Sequence, residues 1–101
     1  MATLSAILVM DGGPGFSGSQ TTGAATAQIF VGNRRLIAIN ADQDVRIRWG
    51  SSTGPSAVAT DFRIPQNQTF TLDSGDEHPY FSLYNGSGVT ANYSWCYLSK
   101  F

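Results

Sequence analysis

Few residues of this chain have the types and the spacing that catalysis or metal binding requires. The densest group of titratable side chains is Asp73, Asp76, Glu77 and His78. Calcium needs about six or more oxygen ligands at defined spacing, and one histidine without cysteine partners is too little for a zinc site. We therefore interpret this group as a polar turn in solvent, and we expect neither a metal nor a cofactor.

Nucleophilic catalysis needs a serine or cysteine next to a base and a third group that orients the base. His78 is the single histidine and Cys96 the single cysteine. Cys96 falls within a predicted strand, where a cysteine usually acts as a small apolar residue. The glycine-rich residues 11–15 lack the Lys-Ser/Thr ending and the helix of a phosphate-binding loop. The sequence therefore predicts a protein that is not an enzyme.

The composition is that of a small folded protein with little charge. The chain has 101 residues, of which 42% are hydrophobic and 13% are charged, and that charged share is about half the usual one. The length fits one domain with its own core. The net charge of -1 argues against nucleic acid as a partner, because nucleic-acid binding requires clustered positive charge.

The N-terminal residues 2–10 form an apolar run that ends at Asp11. The run is too short for a membrane span and lacks the basic start of a signal peptide. We therefore expect a protein made in the cytoplasm without export and with no membrane partner. Both sides of the run are apolar, which indicates an extended arm covered on both faces or placed in an interface.

A glycine-rich segment indicates how the chain is divided into domains. Residues 11–23 are rich in glycine, serine and threonine, which predicts a flexible linker. We therefore divide the chain into an arm with its linker, residues 1–23, and a β-sandwich domain, residues 24–101.

The strongest structural signal is a strand in which Val45, Ile47 and Trp49 alternate with Arg46 and Arg48. This period of two is typical of a strand with one buried and one exposed side. It predicts a central strand of an antiparallel sheet whose other side meets water or a partner.

Similar short strands follow one another along the whole chain. Residues 26–31 and 34–40 could pair as a hairpin, and the last strand spans residues 89–98. No window has the period and the caps of a helix. About seven or eight short strands with regular turns predict an all-β, antiparallel sandwich or small barrel of jelly-roll or Greek-key type, preceded by the N-terminal arm.

Arginine dominates the basic residues, and it serves protein interfaces better than lysine does. If the strands at 34–40 and 44–49 are neighbours, several guanidinium groups share one sheet face. That face is either solvated or a contact patch, and arginine rows also protect sheet edges. The arm could add a strand to a partner's sheet edge. The predicted partner-interface residues are Leu4, Ile7, Val9, Arg34, Arg35, Arg46 and Arg48.

The aromatic residues allow an alternative function. Tryptophan and tyrosine in strands usually belong to the core, because each buries a large area. The same residues could instead form a stacking platform for a sugar, which would make the protein a carbohydrate- or receptor-binding module. These residues are Trp49, Tyr80, Tyr84, Tyr93, Trp95 and Tyr97.

Four segments carry a family resemblance: residues 44–52, 57–65, 70–73 and 80–85. Their order of strands and turns resembles that of small proteins encoded among the structural genes of tailed bacteriophages. The resemblance covers residues 24–101 and includes no catalytic motif. It implies a compact β-sandwich of the virion that acts as a capsid decoration or cement protein. In the alternative function, the carbohydrate- or receptor-binding module would belong to a phage tail or fibre.

Such proteins bind the outer capsid, often as trimers around local symmetry axes. The resemblance therefore implies that the major capsid protein or another virion protein is the partner. It also implies a location on the capsid surface and a homo-oligomeric state, with a trimer favoured. No motif residue of the family is carried over to this chain, so the interface residues above rest on the sequence pattern alone.

Overall fold

The alternation along this chain is realised in two antiparallel sheets. The computed structural model describes residues 8–10, 15–51 and 56–100, with the backbone alone at 8–10, 99 and 100. Within these ranges the secondary structure consists of strands and turns, without a helix. In chain order the strands are β1 (Leu8–Met10), β2 (Phe16–Gln20), β3 (Ala24–Ala25), β4 (Ile29–Phe30), β5 (Leu36–Ala41), β6 (Val45–Gly50), β7 (Phe62–Ile64), β8 (Phe70–Asp73), β9 (Tyr80–Asn85) and β10 (Ala91–Lys100).

Each sheet has five strands in four positions, because two short strands share one position, and we call each position a ribbon. In sheet A the order is β1-β10-β5-β8, and in sheet B it is β3-β9-β6-β7. The first ribbon of each sheet is divided: β1 and β2 both pair with β10, and β3 and β4 both pair with β9. The divided ribbons and the short strands β7 and β8 form the edges, so the long strands lie in the middle of their sheets.

The strand pairings are nested. β2 pairs with β10, β3 and β4 pair with β9, β5 pairs with β8, and β6 pairs with β7. The chain therefore runs as one long antiparallel hairpin whose tip lies between β6 and β7. From β2 onward, the chain crosses from one sheet to the other at each connection except that tip and the short one between β3 and β4. This is the connectivity of an eight-stranded jelly roll, and it confirms the predicted all-β sandwich.

The core lies between the sheets and is built from the inward positions of both. Phe81 of sheet B meets Trp95 of sheet A edge to face, with ring centroids 5.8 Å apart. The predicted alternation is confirmed in β6, where Val45 and Ile47 are buried and Arg48 is exposed. The other buried apolar residues of this cluster are Val31, Ile37, Ile39, Ala41, Ile64, Leu83 and Ala91.

One polar side chain, that of Asn85, is fully buried in this interior. Its amide nitrogen donates to the carbonyl oxygens of Gln20 at 2.8 Å and Val89 at 2.7 Å. Its amide oxygen accepts from the backbone and the hydroxyl of Ser87, at 3.0 and 2.7 Å. All hydrogen-bonding groups of the amide are thus used, and Asn85 joins the turn before β10 to the end of β2.

The prediction of a linker over residues 11–23 is wrong for residues 16–20, which form β2. Two features explain this strand. Phe16 stacks on Trp95 with ring centroids 4.4 Å apart, so β2 contributes to the core. Gly18 lies under the ring of Tyr93, and a Cβ at Gly18 would come within 2.5 Å of the Tyr93 hydroxyl. The glycine therefore serves close packing at this position and not flexibility.

Two further predictions about strand neighbours are wrong. Residues 26–31 and 34–40 do not form a hairpin, because β4 belongs to sheet B and β5 to sheet A. The strands β5 and β6 lie in different sheets for the same reason. In a jelly roll, consecutive ribbons cross between sheets, whereas a sequence pattern describes only which side of each strand is buried.

The predicted N-terminal arm lies mostly outside the described residues. Its last part, β1, pairs with the chain's own β10, with Val9 opposite Ser99. β10 extends beyond the part that β2 covers, and residues of the same chain reach that open edge at high effective concentration. Residues 8–10 thus pair with a strand of their own chain, at the edge of sheet A.

Candidate interaction surfaces

The predicted arginine patch is divided between the two sheets. Arg34 and Arg35 lie at the start of β5 in sheet A, whereas Arg46 and Arg48 lie in β6 of sheet B. The four side chains therefore do not share one face, and the prediction that they do is wrong. The cause is the crossing of the chain between sheets after β5.

The two arginines next to sheet A are held by local contacts. Arg34 has a positive φ of 54°, and its side chain, which is 80% exposed, forms an ion pair with Asp76. Arg35 places its guanidinium carbon 3.9 Å from the ring centroid of Tyr97, a cation–π contact. These contacts connect the turn before β5 to the turn at residues 75–77 and to β10.

The outward face of sheet B, formed by outward side chains of β6, β7 and β9, carries paired charges. Arg48 donates two hydrogen bonds of 3.0 Å to the carboxylate of Asp61, and Arg63 donates to Asp44 at 3.0 Å. The Arg48 contact, followed by the Val58 backbone N–H, lowers the pKa of Asp61. These pairs neutralise most of the positive charge on this face.

The pKa of Asp44 is also lowered. The backbone N–H of Gln66, which donates to Asp44 at 2.7 Å, is the main cause, and the side chain of Arg63 adds to it. Asp44 is thus held ionised by two neighbours, and its carboxylate is directed toward β7.

The centre of this outer face of sheet B is covered by the chain itself. Ser82 lies on the outward side of β9, directly opposite Arg48, yet it is 0% exposed. Its hydroxyl donates to the carbonyl oxygen of Thr26 at 2.9 Å and accepts from the backbone N–H of Ala57 at 3.1 Å. The segment between β3 and β4 and the loop before β7 therefore lie over the middle of sheet B.

The outer face of sheet A is different, because the side chains described in its middle are uncharged. Hydrogen bonds of 3.3 Å run from Ser94 to Asn40 and from Asn40 to Thr69. The charged residues Asp42 and Asp73 lie at its two ends. Asp42 directly follows β5, and Asp73 lies opposite Leu36 at the start of β5. The outward residues between them are Ser17, Ser19, Leu36, Ala38, Asn40, Thr71, Asn92, Ser94, Cys96 and Leu98.

An end of this face is fixed by Asp42. Its carboxylate accepts from the backbone N–H of Asn92 at 2.8 Å and from the amide side chain of Asn92 at 2.9 Å. These two bonds, the backbone one first, lower the pKa of Asp42. The carboxylate is therefore bound to β10 at the border of the sheet and leaves the centre of the face without charge.

An open groove lies at one end of the outer face of sheet B. Its volume is about 360 Å³, within the range of roughly 300–1,000 Å³ typical of ligand pockets. Arg46 and Tyr84, which are directly opposite each other on β6 and β9, both contribute to it. The other lining residues are Gln43, Asp44, Ala59, Gln66, Gly86 and Ser87. We call this site the Arg46–Tyr84 groove.

The aromatic residues do not form one platform. Trp95 is buried, and Trp49, Tyr93 and Tyr97 pack against the core. Burial raises the pKa of Tyr93. Tyr80 and Tyr84 lie on the outer side of sheet B, opposite Gly50 and Arg46 respectively. The aromatic set is thus mostly core, with two tyrosines left at separate ends of one face.

The acidic cluster and the cysteine also have defined places. Residues 75–77 form a turn, and Asp73 accepts from the backbone N–H of Gly75 at 2.8 Å. His78 is exposed, and Cys96 is half-buried on the outer face of sheet A. Of the predicted contact residues in the arm, Leu4 and Ile7 lie outside the described residues.

Sequence patterns missed Ser82 and Tyr84 as residues of special interest. Ser82 interrupts the apolar run of residues 80–84, and its outward position made it look like an ordinary exposed serine. Only the loop that covers it shows its role, and that contact spans 25 residues of sequence. The sequence offers Tyr84 only as one of six aromatic residues, because its place beside Arg46 depends on the pairing of β9 with β6.

No family model, curated protein or solved structure matches this chain. The part of the chain that is described has no helix with the length and hydropathy of a transmembrane segment. The fold and the two outer faces are therefore the basis for a functional proposal.

Proposed function

We propose that this protein is a non-enzymatic structural component of a bacteriophage virion that binds the capsid surface and stabilises it as a decoration or cement protein. The jelly roll supports a virion role, because this architecture is common in viral capsid proteins. It also occurs in lectins and cupins, so the fold alone does not define the function. The proposal rests on the outer face of sheet A.

That face has the composition of a contact surface. Interface centres are depleted of charged residues. Among the side chains that the structure describes, the charged ones of this face lie at its ends, at Asp42 and at Asp73, and Arg34, Arg35 and Asp76 line a pocket at the Asp73 end. Burial of an unpaired charge would be costly, whereas small hydroxyls and amides can form hydrogen bonds with a partner. The middle of the face therefore suits a flat docking contact with the capsid protein.

The contrast with sheet B supports the choice of face. Sheet B is covered in its middle by the loop that contacts Ser82 and carries the ion pairs of Arg48 and Arg63. Docking through that side would require the protein to displace its own loop. Docking through sheet A requires no such change.

The proposal includes a homo-oligomer, with a trimer favoured, that binds the major capsid protein or another virion protein. Several weak contacts arranged around a symmetry axis would give strong attachment by avidity. Native mass spectrometry of the purified protein would report the number of copies per complex. A strictly monomeric protein at every concentration would remove the oligomer from the proposal.

The first test is the copy number in purified particles. A decoration protein is present in a fixed, high ratio to the major capsid protein, whereas a tail protein is present in few copies. Quantitative mass spectrometry of intact particles measures this ratio. Absence from the particle, or a ratio typical of a tail component, would contradict the proposal.

The second test is a matched pair of charge insertions. Ser94→Arg places a charge in the centre of the proposed contact face, and Thr60→Arg places the same charge in an exposed position of the loop on the other side. We expect normal folding of both variants, with particle binding lost in the first and kept in the second. Equal binding of both variants would rule out the outer face of sheet A as the contact.

A further inference from the structure

The Arg46–Tyr84 groove contains the guanidinium of Arg46 and one carboxylate, that of Asp44. Arg46 is near enough to Asp44 to help lower its pKa, but the ion pair of Asp44 is with Arg63. Arg46 donates one hydrogen bond, from Nη1 to the carbonyl oxygen of Asp61 at 3.2 Å. The carboxylate of Asp61 is bound by Arg48, and the carboxylate of Asp44 is bound by Arg63. Among the residues that the structure describes, Arg46 forms no ion pair. A guanidinium in this state has several N–H donors left for an anion.

Tyr84 supplies the second element of the groove. Its ring lies next to Gly86, where a Cβ would come within 3.0 Å of the ring carbon Cε2. The glycine therefore leaves room for the ring in its present position. The ring is partly exposed, and its hydroxyl forms no hydrogen bond within the described part of the chain. A partly exposed tyrosine offers an apolar surface and a polar end to the same ligand.

Neutral polar side chains complete the lining. Gln43 and Gln66 carry amides, Ser87 carries a hydroxyl, and Ala59 contributes an apolar surface. Amides both donate and accept hydrogen bonds, which suits a ligand with several hydroxyl groups. Specific small-molecule sites combine apolar surface with a few converging polar groups in the same way.

We propose that the Arg46–Tyr84 groove binds an acidic saccharide, with the carboxylate of the sugar on Arg46 and its ring and hydroxyls on Tyr84 and the glutamines. A ligand with one negative charge and many hydroxyls matches a guanidinium that has free donors and is surrounded by hydrogen-bonding groups. The one carboxylate of the lining, that of Asp44, is bound by Arg63 and by the backbone of Gln66. A phosphate dianion matches the groove less well, since the neighbouring Arg63 is already paired with Asp44.

This site is separate from the proposed capsid contact, because it lies on the opposite sheet. A protein bound to a particle through sheet A would leave the groove open to solvent. The two proposals can therefore fail independently. Loss of sugar binding would leave particle binding intact, and the reverse also holds.

The test is a titration of the isotope-labelled full chain by two-dimensional NMR. The probes are N-acetylneuraminic acid and glucuronic acid, with glucose and inorganic phosphate as comparisons. We expect saturable shifts of the backbone signals of Tyr84, Gly86 and Gln66 with at least one acidic sugar. Glucose should bind at least about tenfold more weakly, because it lacks the carboxylate that Arg46 would pair with.

Matched variants assign the effect to the groove. Arg46→Gln should weaken binding of the acidic sugar about tenfold or more, and Tyr84→Phe should weaken it about threefold, since only a hydroxyl is lost. Arg48→Gln is the control, because it makes the same change on the same face at an arginine that is already paired with Asp61. It should leave the affinity unchanged.

Three results would overturn the proposal. The first is the absence of saturable shifts with both acidic sugars. The second is equal binding by the wild type and the folded Arg46→Gln variant. The third is binding of inorganic phosphate as tight as that of the acidic sugars with the same shifts, which would make the groove an anion site without sugar recognition.

Discussion

The two outer faces of this sandwich are built from strands of the same kind, yet the chain treats them differently. Ser82 of β9 and Ser94 of β10 each lie on the outward side of a central strand. Ser82 is fully buried beneath its own chain, and Ser94 is exposed. The comparison shows that the outward side of a strand is not always the surface of the protein.

The edges of the two sheets are held in correspondingly different ways. In sheet B, the divided edge is tied from the outside, because Thr26 bonds to Ser82 and to the backbone N–H of Leu83 at 3.0 Å. In sheet A, the edge strand β2 is held from the inside, because Phe16 stacks on Trp95. At Ser94, the outer face of sheet A is not crossed by the described part of the chain, and the residue is exposed.

The largest expected effect comes from Ser82→Ala. The substitution leaves two groups without their shared partner: the N–H of the buried Ala57 and the carbonyl of the half-buried Thr26. Unsatisfied buried groups of this kind cost about 1–3 kcal/mol each. We expect a loss of about 2–3 kcal/mol in the free energy of unfolding, measured by urea denaturation.

A loss below about 0.5 kcal/mol, the usual range for exposed positions, would mean that the loop is not fixed to sheet B. The described difference between the two faces would then be smaller than the hydrogen bonds indicate.

The next effect is that of Phe16→Ala in β2. The phenyl ring is 39% exposed, so the loss is smaller than the roughly 3–5 kcal/mol of a fully buried phenylalanine. We expect about 1.5–2 kcal/mol from lost burial and stacking on Trp95. Thermal unfolding followed by circular dichroism measures it.

If Phe16→Ala leaves the thermal stability unchanged, β2 does not contribute to the core, and residues 16–20 act as a linker. Phe30→Ala is a suitable control, because Phe30 is 60% exposed and lies on the outer side of sheet B, edge to face with Tyr80. It should cost clearly less.

A smaller effect concerns the ion pairs of sheet B and their dependence on pH. The pKa of Asp61 is below its ordinary value of 3.8 in the folded state, so the unfolded chain binds the proton more tightly. The stability that Asp61 contributes is therefore complete above pH 3.8 and is lost as the pH falls through the lowered value. Urea denaturation at a series of pH values measures this decline.

Asp61→Asn should remove about 1 kcal/mol at neutral pH, since it weakens an exposed ion pair and one backbone hydrogen bond. It should also make the decline at low pH shallower. If the pH profile of the variant is parallel to that of the wild type, Asp61 does not titrate as described. High salt should reduce the effect of the substitution, because the pair is partly exposed.

The smallest expected effect is that of Ser94→Ala on sheet A. Ser94 forms a single long side-chain hydrogen bond, of 3.3 Å to Asn40, at an exposed position. Exposed substitutions usually change stability by less than about 0.5 kcal/mol. Chemical denaturation of Ser94→Ala beside Ser82→Ala gives the sharpest form of the comparison, because the same atoms are removed from each face.

The sequence predicts which side of each strand is buried better than it predicts which strand lies next to it in the sheet. The alternation of Val45 and Ile47 with Arg46 and Arg48 gives the buried side of β6 correctly, because that pattern is local. The grouping of the arginines fails, because the crossing of the chain between sheets is set by the whole jelly roll. The strand β2 was missed, since glycine is usually a sign of a loop and Gly18 acts here through close packing.

The candidate surfaces depend even more on long-range contacts. The burial of Ser82 requires a loop that folds back over the sheet, and the Arg46–Tyr84 groove requires β6 and β9 to be neighbours. Neither relation is visible in a local pattern of residues. The sequence does indicate that the chain has few charged residues. The structure shows where uncharged side chains lie together, namely in the middle of the outer face of sheet A as far as it is described.

The most direct test of the central claim is a reconstruction of the particle by electron cryomicroscopy at a resolution that resolves strands. The account predicts this chain on the outside of the capsid, with the outer face of sheet A, including Ser94, against the capsid protein and the loop over sheet B directed to solvent. Particles in which sheet B faces the capsid, or in which the chain is absent, would contradict it.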